Sequence, residues 1–304
     1  MGKWLPAAAL ALALAVTGCN AVSQTGGHVE LVTVAKQMDW TFLFALPDAQ
    51  ARLAILGFDR THHLRVAFVR EGRRNVLSQT GLEVTDIAWT PQDGLLVALG
   101  NEETPAELAL MDPEDGSIER RIEVGWNRVV DPHSMSVSPD GAKAVIAGRE
   151  PGPTESASHL FLVDLSNGDA DRIGEASGLF EESPTFVDSG TIAYVQGEST
   201  FSAGVPNGIV RTLDLETGES RAVSPASFVA GSVNASADSG DLVYDAFPSG
   251  DRASQAVWLV MAGEREQVEL LEGPYSFPAL SQAGKLLVVT NTSFGEIQSG
   301  EITD

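Results

Sequence analysis

Ser138-Pro139-Asp140-Gly141, followed by Ala142-Lys143-Ala144-Val145-Ile146-Ala147, decides how the rest of this chain is read. Pro139 suits the second position of a tight turn, Asp140 can hydrogen-bond its own backbone, and Gly141 tolerates a positive φ. A short strand over 133–137 enters the turn and an apolar strand leaves it. Five other places carry a version of the same signal. Pro47-Asp48-Ala49-Gln50 and Pro91-Gln92-Asp93-Gly94 precede it. Val187-Asp188-Ser189-Gly190, Ala237-Asp238-Ser239-Gly240 and Ser281-Gln282-Ala283-Gly284 follow, and every one leads into an apolar strand. The fourth turn positions fall at 50, 94, 141, 190, 240 and 284, with spacings of 44, 47, 49, 50 and 44 residues. A sandwich of unrelated hairpins gives no reason for even spacing, whereas a radial repeat with one four-stranded blade per period does.

Each period repeats one order: inner strand, tight turn, second strand, loop, third strand, glycine-containing turn, outer strand. Residues 159–165, Asn167-Gly168 and 170–173 complete the third period, and 209–215, Glu216-Thr217-Gly218 and 220–223 the fourth. No segment of helical period and useful length follows the first twenty residues. After the sixth turn and its second strand at 286–290, the remaining 14 residues accommodate one more strand, near 296–302. Residues 29–35 then supply the missing outer strand. The expected fold is all-β: a six-bladed β-propeller closed by an N-terminal strand joining the last blade, which limits exposed strand edges.

The inner-turn signal, together with Leu162-Val163-Asp164-Leu165-Ser166-Asn167-Gly168 and Leu213-Asp214-Leu215-Glu216-Thr217-Gly218-Glu219, resembles the TolB-like propeller repeat. The resemblance covers residues 29–304 and is most specific in repeats three and four. The first repeat lacks the glycine, and the last three lack the proline. The resemblance implies a periplasmic or surface six-bladed propeller that binds protein, although such a fold serves many functions.

The chain opens with Lys3, an apolar run over 5–16 and then Val16-Thr17-Gly18-Cys19. A positive start, a short apolar run and small residues before a cut describe a secretory signal, too short for a permanent span. The four residues ending in Cys19 resemble the bacterial lipobox. That resemblance implies cleavage between Gly18 and Cys19, a diacylglyceryl thioether on Cys19, and usually acylation (such as palmitate) of its new amino group. Several acyl chains on one residue give stable anchoring in a lipid bilayer. The expected organisation is thus a signal peptide over 1–18, a lipidated cysteine and short tether over 19–28, and the propeller over 29–304. Asn20 resembles a residue that permits outer-membrane sorting in a didermal envelope.

Cys19 is the only cysteine, so the folded part has no disulfide, no thiolate metal site and no cysteine nucleophile. The formal net charge of −23 is dispersed along the chain and repels a phosphate backbone, which argues against a nucleic-acid ligand. The expected partners are the bilayer, through Cys19, and another envelope protein.

Two long insertions, 148–158 and 196–208, join second to third strands in adjacent repeats and mark a loop-rich face opposite the tight turns. Arg149, Glu150, Glu198 and Phe201 are the candidate partner-binding residues, Phe201 reading either as an anchor or as packing over the rim. The loops entering the inner strands carry Asp39, Asp86, Asp131, His133, Glu181, Glu182 and Asn234. Radial repetition brings these positions around the mouth of a central channel. Such a ring is either a hydrated acidic funnel or a carboxylate site for Ca²⁺, the one cofactor considered. Asp131 beside His133 reads as a base with its orienter, but no nucleophile accompanies them. No Gly-x-Ser-x-Gly elbow, His-Glu-x-x-His pair or phosphate loop is present. The chain therefore reads as a lipid-anchored binding or scaffold module. The alternative is a metal-dependent hydrolase, similar to six-bladed lactonases, with its site at the channel mouth.

Overall fold

A computed structural model describes residues 28–36, 41–48, 50, 52–58, 64–70, 73–76, 84–101, 104–125, 130–149, 158–174, 179–197 and 208–303. The described residues are almost wholly strand. The single helical piece among them is the 3₁₀ turn Arg252–Ser254. Successive strands form antiparallel meanders in chain order. The first is β3 (Thr41–Pro47), β4 (Leu53–Phe58), β5 (Leu64–Arg70) and β6 (Arg73–Val76). The second is β7 (Val84–Trp89), β8 (Leu95–Asn101), β9 (Thr104–Met111) and β10 (Ile118–Ile122). The third is β11 (Val130–Val137), β12 (Lys143–Arg149), β13 (Ser158–Asp164) and β14 (Ala170–Ile173).

Two further meanders share one sheet through a single bridge, Gly208 to Ala230. They are β15 (Phe180–Phe186), β16 (Thr191–Gly197), β17 (Gly208–Asp214) and β18 (Ser220–Ala222), then β19 (Phe228–Ala235), β20 (Leu242–Pro248), β21 (Ala256–Val260) and β22 (Gln267–Glu272). The last sheet holds β23 (Tyr275–Leu280), β24 (Leu286–Asn291) and β25 (Glu296–Thr303). The beginning of the chain pairs there: β1 (His28–Val29) and β2 (Val32–Lys36) both run antiparallel to β25. The strand expected over 29–35 is thus present in two pieces. They hold one register, Val29 opposite Ile302 and Val32 opposite Ser299, until a shift between Thr33 and Ala35.

The second strand of each meander is almost continuously buried, as in Leu95-Leu96-Val97-Ala98-Leu99, because both its faces pack against neighbouring sheets. Alternate side chains go to opposite neighbours. Ala144 and Ile146 join Leu96, Ala98 and Leu108 of the second meander, while Val145 and Ala147 join Ile192 and Tyr194 of the fourth. The same holds all along the chain, and a cluster of Ala45, Ile55, Ala67, Val288 and Ile297 sets the first meander against the last. Outer strands such as β10 and β14 are largely exposed and carry Arg120, Arg121 and Arg172, charges that discourage edge pairing.

The tight turns interlock. Gly141 has φ 74°, a conformation that selects glycine, and its Cα side lies against the Gln92 amide of the preceding turn, which a β-carbon would meet at 2.8 Å. The preceding turn departs from the expectation, because Asp93 rather than Gly94 takes the left-handed conformation, at φ 66°. Asp93 accepts hydrogen bonds from Gln50 and Arg52 of the first turn. Ser236 likewise donates to the carbonyl of Gln282 in the sixth turn.

Candidate functional site

At the other end of the inner strands the ladders break. In every meander the pairing of first to second strand shifts register at one place: 42/44 in β3, 84/86 in β7, 130/134 in β11, 182/185 in β15, 230/232 in β19 and 276/279 in β23. A β-bulge re-aims the side chains around it. Two bulge residues, Ser183 and Phe277, hold φ at 51° although neither is glycine. Non-glycine residues persist in that conformation only where their surroundings impose it.

The bulged segments surround one cavity of about 560 Å³. Adjacent inner strands are joined around it by side chain to backbone bonds. Ser183 Oγ both donates to the Val233 carbonyl and accepts from the Val233 N–H. Thr185 accepts from Ala235, Asn234 from Leu280, and Trp89 Nε1 donates to the Leu46 carbonyl. Thr290 donates to the carbonyl of Leu43, tying the last meander to the first.

Asp86, Asp131, His133, Glu181, Glu182 and Asn234 lie on the inner strands themselves rather than in the loops that enter them. Asp86, Glu182 and Asn234 line the cavity. Glu181 does not. Neighbours on a strand point to opposite faces, so Glu181 turns away, is wholly buried, and lies 3.8 Å from His159 Nδ1. Arg149 is the last residue of β12 rather than part of a loop, because the β12–β13 ladder runs to the pair Arg149–Ser158, and it too lines the cavity. Asp39, Glu150, Glu198, Phe201, Gly18 and Cys19 lie outside the described residues, as do the side chains of Asp131 and His133. Among the described residues no group of three or more His, Cys, Asp or Glu side chains is placed to hold a metal ion.

Sequence reading missed one perturbed group of the site, Asp245 on β20. Its position opposite Ser232 directs it to the cavity wall, while its neighbour Tyr244 is buried between sheets. Ser232 Oγ donates to Asp245 Oδ1, and Gln255 Nε2 lies 3.5 Å from Oδ2. The carboxylate fits there because residue 231 is glycine: a β-carbon on Gly231 would stand 2.6 Å from Asp245 Oδ2. Burial pushes the Asp245 carboxyl up to about 6, against hydrogen bonds from Ser232 and the Phe277 N–H that favour its ionised form. Such a group exchanges a proton near neutral pH. The missed signal was a single acid inside an apolar run, Leu242-Val243-Tyr244-Asp245-Ala246-Phe247. Phe44, Phe180, Phe247 and Phe277 add aromatic walls, and Phe277 remains 44% exposed at its bulge.

No protein-family model matches the chain, and no curated protein is similar to it in sequence. Solved structures do share its fold. A putative TolB from Agrobacterium tumefaciens is 16% identical, with a TM-score of 0.55 over 71% of this chain and 73% of that one. The XC5397 gluconolactonase of Xanthomonas campestris is 14% identical, with a TM-score of 0.65 over 90% of each chain. TolB from Acinetobacter baumannii is 16% identical, with a TM-score of 0.53 over 86% of this chain and 64% of that one. At these identities the likeness is one of propeller-like fold.

Proposed function

We propose that this chain is a lipid-anchored, extracytoplasmic six-bladed propeller, closed by the pairing of its first strands with its last, that binds another protein of the cell envelope. The carrying observation is the concentration of polar, charged and aromatic residues from successive inner strands around one cavity. The tight turns at the other end of those strands satisfy most of their polar groups within themselves, as in Ser138 with Asp140 and Lys143. Phe277, strained and partly exposed, is the anchor offered to the partner. The lipobox-like segment supports export and anchoring through Cys19, in the outer membrane where the envelope has one. The resemblance to TolB-like repeats and the TolB structural neighbours are consistent with an envelope setting.

Crosslinking in the intact envelope, read by mass spectrometry, tests the reading. A discrete partner should be captured by the native chain and lost with Phe277→Asp. The same crosslinks in both would remove the cavity mouth from recognition. Cys19→Ala should leave an unprocessed precursor without lipid; normal mature size and membrane retention would count against the anchor.

A second reading, hydrolysis at the same cavity, is favoured by one observation, the proton-exchanging carboxyl of Asp245. It calls for turnover of a simple lactone that disappears with Asp245→Asn. A Ca²⁺ site at the channel mouth, held by carboxylate oxygens of the inner-strand ring, would be revealed by copurification of one ion per chain that is lost on substituting Asp86 or Asp131.

A further inference from the structure

The cavity joins apolar rings to an excess of negative charge. Asp86, Glu182 and Asp245 line it against two guanidinium groups, Arg149 and Arg252, in a chain whose formal charge is −23. Asp245 stands apart among these groups. It lies within an apolar strand, only 6% exposed, and the donors that reach its carboxylate are all neutral: the Ser232 hydroxyl and N–H, its own N–H, the Phe277 N–H and the Gln255 amide. Here burial outweighs those neutral donors, and a bound cation would offset the cost of the buried carboxylate. Around it the rings of Phe44 and Phe277 lie 6.2 Å apart, and those of Phe180 and Phe247 complete the aromatic lining. Aromatic faces attract cations and shelter hydrocarbon. The volume of about 560 Å³ falls within the range of small-molecule sites.

We infer that this cavity is a binding site for small organic ammonium compounds with an apolar body, the cation lodging at Asp245 and the body against the phenylalanine rings. The site is distinct in kind from protein docking at the mouth, and it stands whether or not a partner protein is found. The Gly231 gap and the bulge at Phe277 are then the means by which the carboxylate reaches the cavity instead of the blade interior.

A matched series with one body and three charges tests it: 4-phenylbutylammonium, 4-phenylbutanol and 4-phenylbutyrate, titrated calorimetrically into the detergent-solubilised full chain at pH 7.5. The ammonium compound should bind at least about tenfold more tightly than the other two. Asp245→Asn, nearly isosteric and free of the buried charge, should raise the thermal midpoint and remove most of that preference. A gain in stability accompanied by a loss of binding is an outcome that a merely structural aspartate would not give. Phe247→Ala should weaken the ammonium and the alcohol alike. For the native chain, ammonium affinity should rise with pH through about 6, as Asp245 ionises. The other charged groups around the same cavity are Asp86, Glu182, Arg149 and Arg252. No binding at about 10 mM, equal binding of the three, preference for phenylbutyrate, or an unchanged preference in Asp245→Asn would each overturn the inference.

Discussion

Asp140, in the third tight turn, and Asp245, on the cavity wall, are the same residue type under opposite demands. Asp140 accepts hydrogen bonds from Ser138 Oγ at 2.6 Å and from the Ala142 N–H at 2.9 Å. Those bonds hold its carboxyl below the usual carboxylate range. Asp164 and Asp214, at the outer turns, are lowered likewise, by Ser166 and by Thr217 respectively. Asp245 also accepts hydrogen bonds, yet burial outweighs them and its carboxyl rises to about 6. The turn aspartates let the chain reverse with its backbone groups satisfied, and their ionised form is the preferred one. Asp245 works against the fold at neutral pH, and a residue kept under that penalty points to function.

Four substitutions break or sharpen this contrast. Gly141→Val should have the largest effect, destabilising by about 2 kcal/mol or more, because a β-branched residue must adopt φ 74° and crowd Gln92. Denaturant unfolding reads the loss, and ammonium binding by the folded fraction should be unchanged. Asp245→Asn should act in the opposite direction. The folded-state value lies above the unfolded one, so the native chain binds more protons between about pH 4 and pH 6 and loses stability as pH rises through that window. The asparagine variant should lack this decline and be more stable at pH 7.5 by ~2 kcal/mol. A native profile flat from pH 4 to 6 would refute the account.

Ser138→Ala should cost about 1–2 kcal/mol. The buried hydroxyl accepts the Lys143 N–H at 2.9 Å and reaches both Asp140 and the Lys143 carbonyl, so the turn loses several bonds together. Its acid sensitivity should also change, because the Ser138 bond is the leading cause of the lowered Asp140 carboxyl. Thr185→Val should have the smallest effect, about 0.5–1 kcal/mol, from the one bond it offers Ala235 across adjacent inner strands. If it also weakens ammonium binding, the cavity end is less rigid than its stitching implies.

The legibility of the sequence follows the same division. The presence and order of the strands and the pairing of the chain's beginning with β25 were readable, since turns are written in neighbouring residues and buried strands in apolar runs. Glu181 and Glu182 show where that reading stops. Both were acidic residues at one position of the repeat, and only the bulge after Glu182 and the strand's alternation divide them, one toward the cavity and one toward His159. Arg149 was misplaced because nothing local marks how far a ladder runs into a long connection.

Local chemistry alone determined the repeat, its period and its strands: proline, aspartate and glycine constrain the backbone within a few residues of themselves, and a turn carrying some of the three recurs six times. The cavity was decided by tertiary structure alone. The bulges depend on the register between strands, and the Asp245 carboxyl depends on what buries it, including Gly231 and Phe277 in neighbouring strands. Burial is a property of the assembled sheets, and no single stretch of the chain contains it.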